Sequence, residues 1–433
     1  MYQLKNPRRG KRTLNILFIV LFCAILTLWS PGAVFSGEIS GATAVPDHVT
    51  LTWASDPSTT QSIAWRTDSK ITGGQVQYVE AGETGNWPQG TEIHTAGGAG
   101  MVTPLGDMNI HAVMLTGLKP GTRYLYRVGG EEGWSAVHTF TTAPRNIERF
   151  KFLVFGDSQS TSYALWRATL HGAYGANANA AFFTNVGDLV DQGQDYNQWN
   201  GWFNAAEGVI DNIPAMPITG NHEYYTAERG RTAWPVFFTT QFKLPQNGPA
   251  ELKGQVYSFD YGNVHFVMLD SQAGEGAVFV PEMLEKQKAW LEDDLQNTRQ
   301  PWKIVFMHRS PYNNRLNRDN GHIRAAFVPI FERHNVQLVF TGHDHVYART
   351  YPLRGDAPVV KGPGTVYVIS GRSGTKTYPD NVARNWDEFF YDPTDEPNYL
   401  TVEVQGDSLT VNSVKLSGGL IESWSLRNKP AGE

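Results

Sequence analysis

The stretch KFLVFGDSQ (residues 151–159) sets an apolar run against a turn that carries Asp157 and Gln159. The same pattern returns four times before residue 346. AFFTNVGDLVD brings Asp188 and Asp191, AMPITGNHE brings Asn221 and His222, KIVFMHRSPY brings His308, and LVFTGHDH brings His343 and His345. Short runs of this composition bounded by turn residues read as buried strands of a sheet covered by helices. In open sheets of that kind ligands gather at the carboxyl ends of the strands. The spacing therefore predicts one rim that receives every one of these polar residues.

Their types share a chemistry. Carboxylate, amide oxygen and imidazole suit iron, manganese or zinc, and no thiolate is on offer for softer ions. Two ions about 3.5–4 Å apart need a carboxylate between them and further ligands for each; together they hold a hydroxide at neutral pH and clamp an in-line displacement at phosphorus. A lone Asp after a strand reads as a helix cap or turn former. Five such segments in one order read as a two-metal site.

The order GD, GDxxD, GNHE, H and GHxH, with QKAWLEDDL (residues 287–295) and GHDHVYART (residues 342–350), resembles the calcineurin-like metallophosphoesterase superfamily over roughly residues 148–405. Within it the closest likeness is to purple acid phosphatases. That resemblance implies an α+β chain whose catalytic part is an αββα sandwich of two sheets flanked by helices. It implies that Asp157, Asp188 and His345 hold the first ion, that Asp188 bridges, and that Asn221, through its side-chain oxygen, His308 and His343 complete the second. His222 would sit beside the substrate phosphate, stabilising the transition state or protonating the leaving oxygen. The implied activity is acid phosphatase-like hydrolysis of small phosphomonoesters by a metal-bridging hydroxide. Two alternatives stand beside it: a phosphodiesterase or nucleotidase on the same site, and a surface binding protein with a vestigial site.

Two positions depart from the purple acid phosphatase pattern. Asp191 stands where that family has a metal-ligating tyrosine, so no tyrosinate colour is expected. GDLVD resembles instead the GDxxD of the serine/threonine phosphatase branch, which implies an Asp191 carboxylate bonded to His222 and holding its tautomer. Gln159 stands where many members carry His and purple acid phosphatases Gly; its amide oxygen either ligates the first metal or anchors a bound water. Arg309, next to His308, and His322 are the candidates for substrate contact, since an arginine fork can clamp phosphate bidentately.

At the amino terminus Lys5, Arg8, Arg9, Lys11 and Arg12 precede an apolar stretch from Leu14 to Trp29 and small residues near Ser36. Residues 1–36 thus read as a secretory signal peptide, placing the mature chain outside the cytoplasm or at its outer surface. If it is not cleaved, the segment is a membrane tether. The single cysteine, Cys23, leaves with the signal, so no disulfide is expected. Loss of those five positive charges, with no acidic ones, takes the formal charge from −6 to −11, which argues against duplex nucleic acid as a partner.

Residues 40–145 change character: VTLTWA, QSIAWRT, GQVQYVE, HAVMLTGL, RYLYRVG and AVHTFTT alternate and are separated by turns. This predicts an all-β sandwich of about seven strands. LKPGTRY (residues 118–124) resembles the tyrosine-corner segment of fibronectin type III domains, with Tyr124 at the corner. Trp53 and Trp65 are expected in the core. The Gly-rich stretch from Ala81 to Gly106 reads as long loops approaching the active-site rim. Residues 146–425 then form the catalytic domain.

Overall fold

The computed structural model describes residues 41–82, 92–360 and 362–428. The segment read as a signal or tether lies outside them, as do residues 83–91 of the Gly-rich stretch. Among the described residues no helix is long and apolar enough to cross a membrane.

Alternating apolar residues and close-set turns make eight strands first: β1 (Asp47–Thr52), β2 (Gln61–Asp68), β3 (Gly73–Glu80), β4 (Glu92–Met101), β5 (Met108–Leu115), β6 (Arg123–Gly130), β7 (Gly133–Trp134) and β8 (His138–Thr141). The first half of β4 pairs with β3 and its second half with β5, changing partner at Gly97. β4 therefore passes from one layer to the other, and β1, β2 and β5 face β3, β6 and β8 in a sandwich. Leu51, Ile63, Trp65 and Leu115 of one layer meet Val76, Tyr78, Tyr126, Val128 and Phe140 of the other. The period of two along each strand puts them on the inner face. The Tyr124 hydroxyl accepts the Lys119 N–H at 2.9 Å, the contact expected of a tyrosine corner.

Within the stretch from Ala81 to Gly106, the long-loop expectation is corrected for Glu92–Met101, which form β4. Its glycines serve close packing as well as turning: a Cβ on Gly98 would meet the His111 ring at 3.0 Å.

The catalytic part contains β9 (Arg149–Phe155), β10 (Phe183–Asn185), β11 (Tyr257–Tyr261), β12 (Val264–Met268), β13 (Trp302–Phe306), β14 (Leu338–Thr341) and β15 (Tyr347–Thr350). A small hairpin, β16 (Leu353–Arg354) with β17 (Ala357–Pro358), precedes β18 (Val366–Ser370), β19 (Asp387–Tyr391), β20 (Asn398–Gln405), β21 (Ser408–Lys415) and β22 (Leu420–Arg427). The helices are α1 (Ala164–Ala176), α2 (Tyr196–Ala206), α3 (Val236–Gln241), α4 (Ala273–Gly276), α5 (Met283–Asn297) and α6 (Gly321–Arg333). One sheet runs β10-β9-β20-β21-β22 and the other β11-β12-β13-β14-β18-β15-β19.

The sheets stack because their strands are apolar on both faces. Phe266, Ile304, Phe306, Leu338, Phe340, Val366 and Val368 share a core with Phe152 of the first sheet. The intervening Val267, Val305, Val339 and Tyr367 pack instead with Met283, Leu291 and Leu295 of α5 and Ile323, Phe327 and Phe331 of α6. On the outer side of the first sheet Phe155 packs edge-on against Trp166 of α1. The order helix, sheet, sheet, helix follows. On α5 the buried stripe is Met283, Gln287, Leu291 and Leu295, at a spacing of four, and Ala289 is exposed.

AMPIT, expected to be a strand, is an extended segment with a single bridge, Phe183 to Ala215. Pro217 removes a backbone donor from within it, and Pro214 another just before it. Its Ala215 N–H is taken by Leu51 O of the sandwich at 2.8 Å, and Leu51 N–H reaches Ile210 O at 2.9 Å. Trp53, unlike Trp65, leaves the sandwich core and stacks on Tyr261 with centroids 5.3 Å apart. The sandwich thus braces the segment that leads to Asn221 and His222.

Candidate metal centre

The four parallel strands β9, β10, β13 and β14 end at one rim, and the turns after them supply the ligands. Asp188 Oδ2 lies 3.1 Å from His308 Nε2, which lies 3.1 Å from Asn221 Oδ1 and 3.0 Å from His343 Nδ1. On the other side Asp157 Oδ1 lies 3.2 Å from His345 Nε2. Asp188, His308 and His343 offer donor atoms all within 4.8 Å of one another, and so do Asp157, Asp188 and His345. Asp188 belongs to both groups.

The backbone is bent to this purpose. Asp188, His343 and His345 have φ of 53°, 74° and 60°, in the left-handed region that costs a non-glycine residue on the order of 1–3 kcal/mol. The flanking glycines leave room: a Cβ on Gly187 would sit 2.7 Å from both His308 Nδ1 and Gly220 N. Asp157 accepts the His343 N–H at 3.0 Å and Asp188 Oδ1 the His222 N–H at 3.0 Å, so each carboxylate is aimed by the opposing turn.

The donor set fits cations. His308 Nδ1–H donates to Val186 O at 2.8 Å and His345 Nδ1–H to Lys376 O at 2.7 Å, which leaves both Nε2 atoms as lone pairs. His345 Nε2 is buried with no hydrogen-bond partner. His308 Nε2 faces two oxygen acceptors and a second imidazole. Lone pairs turned on one another in a buried site are what metal ions between them would satisfy. Burial, His308 and the Arg318 and Arg309 charges hold His343 well below the usual imidazole range, in the neutral form a ligand needs. Burial would raise Asp188, but His308 and His222 override it and hold the carboxyl well below its usual range.

His222 stands at the mouth, its Nε2 3.9 Å from Asp188 Oδ2. Its Nδ1 bonds the main-chain O of Asp191 at 2.6 Å, nearer than the carboxylate of the expected dyad. The Asp191 carboxylate is 3.3 Å from that nitrogen, 46% exposed, and shared with Lys376 Nζ at 3.2 Å. The turn after Asp188 points its carbonyl inward, so the side chain faces out. Gln159 is buried in the site. In the amide orientation that satisfies both ends, its nitrogen donates to Asp188 Oδ2 at 3.3 Å and its oxygen accepts from Lys376 at 3.1 Å. In that orientation it is a donor to the shared carboxylate.

The two substrate candidates stand apart. Arg309 is held by Gln272 Oε1 at 2.8 Å and Glu275 Oε1 at 2.6 Å, and lines a separate cavity of about 330 Å³ with Arg315 and Arg318. His322 is exposed on the first turn of α6 and joins none of the site's hydrogen bonds, a correction that follows from the helix beginning at Gly321 and turning it outward. Asp344, between two ligand histidines, turns away to Arg318 and the Asn314 N–H.

Three further residues were given no role by the motifs. Glu223 is buried and accepts the N–H groups of Asp188, Leu189 and Gly220 at 2.9, 2.8 and 2.6 Å, tying two ligand turns together. Burial and the Asp188 charge push it up to about 8, against those donors. Tyr378 packs on His345 with ring centroids 4.6 Å apart. Lys376 reaches His222 Nε2 at 3.1 Å. Glu223 could have been found as the acid beside His222; Lys376 and Tyr378 lie in a loop without a motif.

With this geometry in view, the comparisons agree on a class. Residues 46–142 match the purple acid phosphatase N-terminal domain and residues 150–347 the calcineurin-like phosphoesterase domain, so the chain carries these two domains in tandem. It is 26% identical over 391 residues to acid phosphatase type 7 of Mus musculus, spanning 82% of this chain and 83% of that protein. To purple acid phosphatase 23 of Arabidopsis thaliana it is 27% identical over 295 residues, 61% of this chain and 62% of that protein. Purple acid phosphatase PPD1 from yellow lupin seeds shares the fold with a TM-score of 0.70 at 17% identity, over 88% of this chain and 74% of that one. The structure of PhoD does so with 0.63 at 13%, over 90% and 91%. The chain is accordingly a hydrolase of phosphoric esters.

Proposed function

We propose that the protein is an extracytoplasmic phosphatase that hydrolyses phosphomonoesters with a pair of metal ions drawn from iron, manganese and zinc. The observation that supports this most is Asp188, whose carboxylate is common to both ligand groups. When bound, the two ions supply the attacking oxygen and the Lewis acidity of an in-line displacement at phosphorus. The chain supplies position and protons. Asp157, Asp188 and His345 would hold one ion, and Asp188, Asn221, His308 and His343 the other. His222, fixed at Nδ1 by Asp191 O, presents Nε2 beside Asp188, where a proton can pass to the leaving-group oxygen. The displacement is direct and inverts phosphorus once. The basic residues and apolar stretch of the first 36 positions support export.

The test is turnover of p-nitrophenyl phosphate and of its bis ester by protein stripped with chelator and reloaded with manganese, zinc or iron. Metal-dependent cleavage of the monoester is expected. Preference for the bis ester would replace the assignment by a phosphodiesterase, and two bound ions without turnover of either would point to a binding protein.

A further inference from the structure

The loop after β18, GRSGTKTYPD (residues 371–380), follows no motif, yet it is stapled to the site along its length. The Ser373 and Gly374 N–H groups donate to Asp157 O at 3.0 and 2.9 Å, and Thr375 N–H donates to Gln159 O at 3.3 Å. Arg372, buried, bonds Pro393 O at 2.9 Å and Gly374 O at 2.6 Å. Lys376 O holds His345 Nδ1. A lysine on such a loop is presented by rigid backbone, unlike a lysine on a solvated surface.

Its ammonium has three neighbours: His222 Nε2 at 3.1 Å, the Gln159 amide oxygen at 3.1 Å and Asp191 Oδ1 at 3.2 Å. His222 and Gln159 also approach Asp188 Oδ2, at 3.9 and 3.3 Å. Lys376 therefore borders the space in front of the shared carboxylate, where the proposed function places the phosphoryl group. Of its three neighbours only Asp191 carries a negative charge, and that carboxylate is 46% exposed.

We propose that Lys376 is a substrate-contacting residue that selects phosphomonoesters over diesters. A monoester at neutral pH carries two negative charges on its terminal oxygens; a diester carries one and a second carbon substituent. A fixed ammonium at the mouth pairs with the extra anionic oxygen of the monoester and has no counterpart for it in the diester. The inference rests on the phosphomonoesterase assignment and names the group that enforces it.

The experiment compares metal-loaded wild type, Lys376→Met and Lys376→Arg on p-nitrophenyl phosphate and bis-p-nitrophenyl phosphate. Inorganic phosphate binding is followed by calorimetry, and bound metal is counted for each protein. Lys376→Met is expected to lower monoester kcat/KM and phosphate affinity by about 10- to 100-fold, the range for a hydrogen bond between charged groups, with metal content unchanged. Diester kcat/KM should change by less than about threefold, and Lys376→Arg should recover most of the monoester loss. Equal losses on both esters, or loss of metal, would overturn the selector and make Lys376 a strut for its loop. A wild type that prefers the diester would overturn the phosphomonoesterase assignment instead. Calorimetry would still decide Lys376: unchanged phosphate affinity in Lys376→Met refutes the contact, and weakening of about tenfold upholds it.

Discussion

The second sheet uses histidine in opposite ways at its two ends. At the carboxyl end His308 gives its Nδ1–H to a main-chain carbonyl and keeps Nε2 as a lone pair among acceptors. At the other end, on β12, His265 places Nδ1 on Asp260 at 2.7 Å and Nε2 on Asp294 at 2.8 Å. Burial opposes a charge there, but the two carboxylates draw His265 up to about 9. With no ion between the ligands Asp188 draws His308 up to about 9 as well, against its burial. The difference lies in what faces each nitrogen: His265 has a carboxylate of its own on each side, whereas His308 Nε2 shares Asp188 with Asn221 Oδ1 and a second imidazole, a donor set that a metal ion would complete, and the residue type carries none of it.

The largest effect that can break this comparison is at the shared ligand. Asp188→Asn should lower kcat by about a thousandfold or more and leave fewer than two metals per chain, measured by turnover and metal analysis. Full metal content in that variant would show that the carboxylate does not bridge. His222→Ala should cost about 10²–10³ in kcat with metals retained. Because its proposed work is proton transfer, the loss should shrink on esters with more acidic leaving groups.

At the other end the expected effect is on stability. A folded pKa raised from 6.5 to about 9 means that His265 contributes fully below about pH 6.5 and progressively less as pH rises to about 9. The amount is on the order of 3 kcal/mol. Urea unfolding across that window should show the decline in the wild type, and His265→Asn should flatten it; an unchanged slope would show that His265 is not held charged. The smallest effect is expected at Asp191. Asparagine keeps the main-chain carbonyl that bonds His222, and the lost side-chain pair with Lys376 is part-exposed, so kcat should fall by less than about fivefold. A loss of a hundredfold would restore the carboxylate dyad.

Much of the molecule was legible in the chain because its signals are local. Apolar runs of strand length, each followed within a few residues by a ligand residue, announced β9, β10, β13 and β14 and the order of the ligands. AMPIT misled because composition does not register that its Ala215 N–H is spent on the sandwich and that Pro217 has no N–H, which leaves a single bridge to β10. The sandwich's alternation was plain, whereas the layer change of β4 was hidden under its glycines, which read as a loop when pairing on both edges is unknown.

The residues at the mouth were the least legible. Asp191 and His222 are named by spacing, but whether a carboxylate or a carbonyl meets Nδ1 depends on how one turn is oriented. Lys376 comes from 154 residues further along the chain than His222, brought there by a loop pinned to Asp157 and Gln159. Residue order decided which ligands exist and in what sequence they arrive, since each rides its own strand. Packing decided which nitrogen stays bare, which carboxylate is shared and which cation guards the entrance, because those depend on contacts between segments that no local pattern records.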